Sequence, residues 1–389
     1  MSLVCCAAVA CYAVALGGGL TESFALLPLT VVLWLVASGR RTWPVFAGSG
    51  LALSLACLFS LQSLPAALVL GLATVWSGPS ALLTAKKVGL GVAGAIVLPL
   101  VVGAWVVARG AGGDALDQLV TYNAAYRQID GGLTHYIAEI ALIAGFIVLP
   151  VGLAFIRMIR DPRPFAVLDW ACAAWCLSYT AYLFMQGRFW LHYLILMVPA
   201  AAVLASTGCG QLFLWWHSHD RRLRVRSGAL TATIGLALIV AVVAINAFGA
   251  MDLKQVSRQN TLDAQAAGWV RANTAGSSSL FVWGDAPYVY LATGRAPYDR
   301  YVDLFPLVTD GYWSASKTDD LLAAWRVSPP EIIVEAGSGG QLCLAATGQE
   351  AGSIPDDLMP LCAFVRGNYH LVATLGDQDG FDDVYGYGI

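Results

Sequence analysis

Glu22 is the first residue whose type and place suggest chemistry: a carboxylate that follows Gly17-Gly18-Gly19 and Thr21 at the start of an apolar run. A carboxylate entering a membrane helix is costly, which gives weight to a functional role. Within a turn of the membrane surface, the same residue serves equally as a solvated anion at a helix N-terminus. A second group is Gly187-Arg188-Phe189-Trp190-Leu191-His192-Tyr193. Arg188 and His192 stand one helical turn apart and so can face one ligand. Arginine forks onto phosphate oxygens, and a helix N-terminus adds partial positive charge, which makes a lipid phosphate a natural partner. The plainer reading is a cation snorkelling to the membrane surface between aromatic anchors.

Tyr122-Asn123-Ala124-Ala125-Tyr126-Arg127 puts two tyrosines on one helical face. Tyr122, Asn123 and Tyr126 are candidate substrate-binding residues, with Asn123 and Arg127 reaching sugar hydroxyls or a phosphate, and interfacial anchoring is the alternative. His135 and Glu139 share that spacing, and a local ion pair explains them as well as a site does. Further on, Asp285, Arg295, Asp299 and Arg300 crowd a tyrosine-rich stretch. They follow Leu280-Phe281-Val282-Trp283, and strand ends are where α/β sheets bind ligands. A salt-bridge network accounts for them equally. His217-x-His219 falls short of a metal-ligand set. No metal-type CxxC spacing occurs, nor any P-loop, GxSxG or HExxH motif, which argues against ATP-driven transport and the common hydrolases. No cofactor is implied, and the need for a divalent ion stays open.

The elements that would position these residues are apolar. The 389 residues are 58% hydrophobic and 12% charged, with mean hydropathy +0.66. A soluble domain carries about 25% charged residues, so water is not the only solvent for this fold. Apolar runs at 2–17, 23–38, 43–60, 63–78, 88–108, 133–156, 165–185, 189–212 and 229–250 predict a polytopic α-helical membrane protein of about nine spans. Drawn that way, Arg40, Arg41, Lys86, Lys87, Arg157, Arg160, Arg163, Arg221, Arg222, Arg224 and Arg226 share one side. Only Arg109, Arg127 and Arg188 fall opposite, so the bias puts the amino terminus in the cytoplasm and the carboxyl-terminal domain outside. The pair within 43–78 is tight and is broken at Leu61-Gln62-Ser63-Leu64-Pro65. The apolar start at Met1 lacks a cationic flank and does not read as a cleavable signal peptide.

Charge divides the chain. Residues 1–251 hold 14 Lys+Arg against 8 Asp+Glu, a net of +6; residues 252–389 hold 8 against 17, a net of −9. The break predicts a transmembrane helical domain over 1–251 and a soluble exterior α/β domain over 252–389. An acidic tail repels phosphate backbones, so nucleic acid is excluded as a partner. The tail predicts a helix over 261–273, strands at Leu280–Trp283 and Glu331–Val334, a helix over 319–327, and closing strands at 369–375 and 383–387. Seven of the nine cysteines sit in or beside apolar runs as small buried residues, while Cys343 and Cys362 can pair if the tail is exterior.

Taken together these segments resemble the GT-C membrane glycosyltransferases. The specific resemblance is to the family of dolichyl-phosphate-mannose–protein mannosyltransferases and aminoarabinose transferases. It rests on Gly19-Leu20-Thr21-Glu22, Tyr122-Asn123-x-x-Tyr126 and Gly187-Arg188-Phe189-x-x-His192-Tyr193 followed by Pro199. In the tail it rests on Val282-Trp283-Gly284-x-x-Pro287-x-x-Tyr290-Leu291-x-x-Gly294-Arg295-x-Pro297, then Arg300-Tyr301, and on Tyr369-x-Leu371-Val372 and Val384-Tyr385. The resemblance implies transfer of a sugar from a polyprenyl-phosphate donor to a glycan or protein acceptor at the outer face of the cell membrane. It assigns Arg188 and His192 to the departing lipid phosphate. The family's acidic loop after its first span has no counterpart here, which implies that the amino-terminal part is missing and leaves Glu22 as the nearest carboxylate. The alternative is a non-catalytic binding or assembly partner derived from such an enzyme. A transporter is suggested by span number alone, since no internal repeat accompanies it.

Overall fold

The computed structural model describes residues 21–40, 42–75, 81–126, 151–152, 154–156, 158–159, 167–187, 191–218, 261–284, 286–302, 305–309, 311–336, 356–377 and 380–387. The chain forms two compact units, Met1–Arg109 with Arg127–Asp252, and Gly110–Tyr126 with Leu253–Ile389. The segment Gly110–Tyr126, which charge alone leaves with the helical part, thus belongs to the second unit.

The first unit is helical. Its main helices are α1 (Thr21–Ser38), α2 (Trp43–Phe59), α3 (Leu64–Val75), α4 (Ala81–Ala108), α5 (Val167–Gln186) and α6 (Val198–Ser218). Their sequences are dominated by Leu, Val and Ala, which bring no polar side chain to compete for the backbone. α2 begins after Thr42 with Pro44 in its first turn, where the missing N–H costs nothing. Leu29, Val32, Leu53, Ala56, Leu70, Trp175, Tyr179 and Leu204 close a common core. α2 and α4 cross most closely at Gly50 and Gly94: a Cβ on Gly50 would run into the Gly91 carbonyl, and one on Gly94 into that of Ala47. Away from that seam α4 is apolar and exposed, with Val92, Ile96, Leu100, Val101 and Trp105 all uncovered.

The expectation of about nine spans is corrected by these helices. Among the described residues two are long and apolar enough to cross a membrane, Thr21–Ser38 and the 24 residues Ala85–Ala108. The runs at 43–60 and 63–78 fold as helices of 17 and 12 residues, parted at Ser60, whose backbone is extended (φ −152, ψ 120). At 1.5 Å per residue, 12 residues cover about 18 Å, against about 30 Å of bilayer hydrocarbon. In 165–185 the apolar character is diluted by Asp169, Ser178, Tyr179, Thr180 and Tyr182. The run at 189–212 opens as a 3-10 helix, Leu191–Met197, and becomes α-helical only where Pro199 enters the first turn of α6. The runs at 2–17 and 229–250, and most of 133–156, lie outside the described residues.

The second unit has a four-stranded sheet of order β1-β2-β4-β3, with β1 (Leu280–Trp283), β2 (Ile332–Ala336), β3 (Tyr369–Asp377) and β4 (Gly380–Tyr387). β1 and β2 are parallel, Phe281 opposite Ile333; β4 is antiparallel to both β2 and β3, with a register shift between Leu371 and Ala373. Residues alternate between faces with the period of two that a strand imposes. Leu280, Val282, Ile332 and Val334 pack with Ala266, Ala267 and Val270 of a helix over 261–273 (α7) and Val289 of Tyr288–Thr293 (α8). On the other face Phe281, Trp283 and Ile333 meet Trp325 of Ala315–Val327 (α9) and Val365 of Met359–Asn368 (α10). α9 starts four residues before the predicted 319, and α8 and α10 were not expected. α10 begins with Pro360 in its first turn and buries Leu361, Cys362 and Val365. Cys362 is disulfide-bonded; Cys343, its expected partner, lies outside the described residues. Cys57, Cys172 and Cys176 are free thiols.

Candidate functional site

Two departures from regular α-helix meet the first turn of α1 in the first unit. Glu22 lies in the first turn of α1, the chain breaks at Ser60 into a 3-10 turn over Leu61–Ser63, and the 3-10 helix Leu191–Met197 packs on both. Glu22 is 5% exposed. Its Oε1 accepts from Ser60 Oγ at 3.1 Å and its Oε2 from Thr21 Oγ1 at 3.1 Å. Beside this pair, Gln62 Nε2 donates to Gln186 Oε1 at 3.1 Å. Gln62 Oε1 and Ser63 Oγ are buried with no hydrogen-bond partner. Among the described residues no ion pair reaches Glu22. Among the described residues the site is therefore a carboxylate with neutral donors, on the same cluster as two oxygens without partners, inside an apolar helical unit. Such a group keeps lone pairs that can accept a hydrogen bond from a further hydroxyl.

The residues expected to hold phosphate fall at the edge of what is described. Arg188 lies outside the described residues, as does Asp285; His192 sits in the 3-10 helix that packs on α1, and its side chain is not described. Gly187 ends α5 immediately before them, its N–H on the Leu183 carbonyl at 3.0 Å. Tyr193, next in line, is buried, and its carbonyl accepts from Tyr179 Oη at 2.9 Å. Arg295 is 9% exposed and donates to Thr274 Oγ1 at 2.6 Å and to the Ala275 carbonyl at 2.7 Å. It thereby closes the end of α7, where a cation meets the carbonyls left free by the last turn. Burial holds its pKa below the ordinary arginine value.

The second unit contains a charged cluster of which reading by type and spacing singled out Arg300 alone. The segment 110–126 carries Asp114 and Asp117, three residues apart, and runs from Gly112–Leu116 through a π-helical turn, Asp117–Tyr122. Arg300 Nη1 bonds Asp114 Oδ1 at 2.6 Å. Asp117 Oδ2 accepts from Tyr312 Oη at 2.5 Å, with Lys317 Nζ at 3.7 Å and Arg300 Nη2 at 4.0 Å. The Tyr312 hydrogen bond, together with Lys317 and Arg300, holds the Asp117 carboxyl below its ordinary pKa. Burial and the bond to Asp117 push the Tyr312 phenol well up. For Arg300, burial works downward, but Asp114 and Tyr301 outweigh it and raise the guanidinium. Lys317 Nζ sits 3.2 Å from the Tyr312 ring centre. The expected contact residues join this packing: Tyr122 stacks on Tyr126 (5.4 Å) and meets Tyr312 edge-on (5.2 Å), while Asn123 Nδ2 turns back to the Gln118 carbonyl at 3.0 Å. The paired aspartates were legible as an i, i+3 set; their cations lie far along the chain and only folding brings them together.

Among the described residues no three His, Cys, Asp or Glu side chains form a group able to hold a metal ion. No protein-family model matches the chain, and no curated protein does. The site is therefore defined by the chain's own residues.

Proposed function

We propose that this chain is a membrane glycosyltransferase of the GT-C kind, moving a sugar from a polyprenyl-phosphate donor to an acceptor hydroxyl, with Glu22 as the general base. The observation that carries this is the buried Glu22 carboxylate, held among the described residues by Ser60 and Thr21 within apolar helices. Glu22 takes the proton of the acceptor hydroxyl as its oxygen attacks the anomeric carbon. The bond from that carbon to the phosphate oxygen breaks, and polyprenyl phosphate leaves. Arg188 and His192 take the phosphate charge, an electrostatic role that needs no covalent step. Of the described helices, Thr21–Ser38 and Ala85–Ala108 are the ones that lie across the cell membrane, and the second unit is exterior. The disulfide at Cys362 is consistent with that side, since such bonds persist in oxidising compartments.

The test uses the full chain in lipid nanodiscs, a polyprenyl-phosphate hexose or pentose, and a panel of lipid-linked glycan and Ser/Thr peptide acceptors. Acceptor-dependent release of polyprenyl phosphate is expected, with kcat lowered about 10²- to 10⁴-fold in Glu22→Gln and the donor KM unchanged. Absence of release with every acceptor overturns the proposal in favour of a non-catalytic glycan- or protein-binding partner.

A further inference from the structure

Among the described residues of the first unit three buried side-chain oxygens, Ser49 Oγ, Gln62 Oε1 and Ser63 Oγ, have no hydrogen-bond partner, and two of them share one turn. Ser63 is fully buried and Gln62 is 6% exposed, and neither Ser63 Oγ nor Gln62 Oε1 has a hydrogen-bond partner. Buried polar atoms are almost always paired, because an unpaired one forfeits the hydrogen bond it would make to water. Both sit on the short turn between α2 and α3, where Ser60 leaves helical geometry and bonds Glu22. Leu61 and Leu64 flank them in the sequence and are 45% and 46% exposed. Irregular backbone inside an apolar helical unit is tolerated where it is buried in protein or lines a polar cavity. Interrupted helices in membranes are also where substrates bind, because their freed polar groups face inward.

The chemistry of the set selects the ligand. Gln62 Oε1 is an acceptor and calls for an O–H or N–H; Ser63 Oγ can give one hydrogen bond and accept others. Ser60 and Gln186 are neutral, so the turn itself supplies no cation to attract phosphate. A neutral group with alternating donors and acceptors fits, and vicinal hydroxyls of a sugar supply that pattern. We infer that Gln62 and Ser63 form the subsite for the sugar hydroxyls of the lipid-linked donor, beside Glu22. This rests on the transferase reading and adds the residues that distinguish the sugar-bearing lipid from its product. Phosphate recognition falls to Arg188 and His192, and sugar recognition to the turn.

The test measures equilibrium binding of the full chain, in detergent micelles, to a polyprenyl-phosphate hexose and to the same polyprenyl phosphate without sugar. The wild type is expected to prefer the sugar-bearing lipid. Ser63→Ala and Gln62→Leu each lower that affinity about ten-fold, the worth of one or two hydrogen bonds, and leave the bare lipid's affinity unchanged. Ser63→Ala melts at or above the wild-type temperature, because it deletes a buried unpaired hydroxyl; it also keeps the test alive should Gln62→Leu fail to fold. Variants that bind both lipids as the wild type does overturn the inference, with ordered water as the orphans' only partner. A wild type that binds the two lipids equally overturns it as well, while leaving donor-phosphate binding in place. A wild type that binds neither lipid overturns the transferase reading together with the subsite.

Discussion

Glu22 and Asp117 are both carboxylates held by a hydroxyl, and everything else around them differs. Glu22 lies in an apolar helical unit, bonded by Ser60 and Thr21, with no cation in ion-pair range among the described residues. Asp117 lies in the α/β unit, bonded by Tyr312 and flanked by Lys317 and Arg300. A carboxylate already ringed by cations is held as an anion and is a weak base, so Asp117 is suited to fastening the 110–126 segment to the sheet domain. The difference teaches that burial alone does not mark a catalytic acid or base; the charge of its neighbours decides.

The sharpest way to break the comparison is to neutralise each carboxylate and read turnover. Glu22→Gln lowers kcat about 10²- to 10⁴-fold, while Asp117→Asn leaves it unchanged; equal losses would show that the two sites are not different in kind. The next largest effect separates the two units by stability. Trp325→Ala empties a fully buried position between Phe281 and Tyr369 and costs the second unit about 3–5 kcal/mol. Gly94→Leu forces α2 and α4 apart and costs the first unit about 1–3 kcal/mol. Calorimetry that resolves two transitions should assign one loss to each.

Smaller effects concern the fastening of 110–126. Asp117→Asn removes the anion that Tyr312, Lys317 and Arg300 share and costs about 1 kcal/mol, read as faster amide exchange across 112–125. Because folding lowers the Asp117 pKa, its contribution is complete above the ordinary aspartate value of about 3.9. It is lost as pH falls through the lower folded value. Amide exchange there, corrected for its intrinsic pH dependence, should therefore be flat from neutrality down to mildly acidic pH and rise only in stronger acid. Arg300→Ala is the mildest, since Arg300 and Asp114 are 38% and 52% exposed: under about 1 kcal/mol, and less in high salt.

Much of the second unit was legible in its sequence, because β1 and β2 are apolar runs of strand length and the pairs Leu280–Val282 and Phe281–Trp283 show the strand period. α10 escaped because Met359-Pro360 reads as a turn, although proline in a first turn is compatible with a helix. The number of spans was over-counted, since hydropathy registers apolar length but not the break at Ser60 or the 3-10 opening at Leu191. In the candidate site, Glu22 was legible as an anomaly, a charge where apolar residues dominate. Ser60, Gln62 and Ser63 were legible only as a helix break.

By itself the sequence determined composition, the apolar character of the helices, the charge division near residue 252, and the alternation that fills both faces of the sheet. These are local or summed properties, and each residue carries its share regardless of fold. Tertiary structure decided which hydroxyl meets Glu22 and which oxygens near it go without partners. It also decided that Asp114 and Asp117 are answered by Arg300, Tyr312 and Lys317. Those are pairings between residues far apart in the chain, and a hydrogen bond a few ångströms long exists only once the whole core has closed around it.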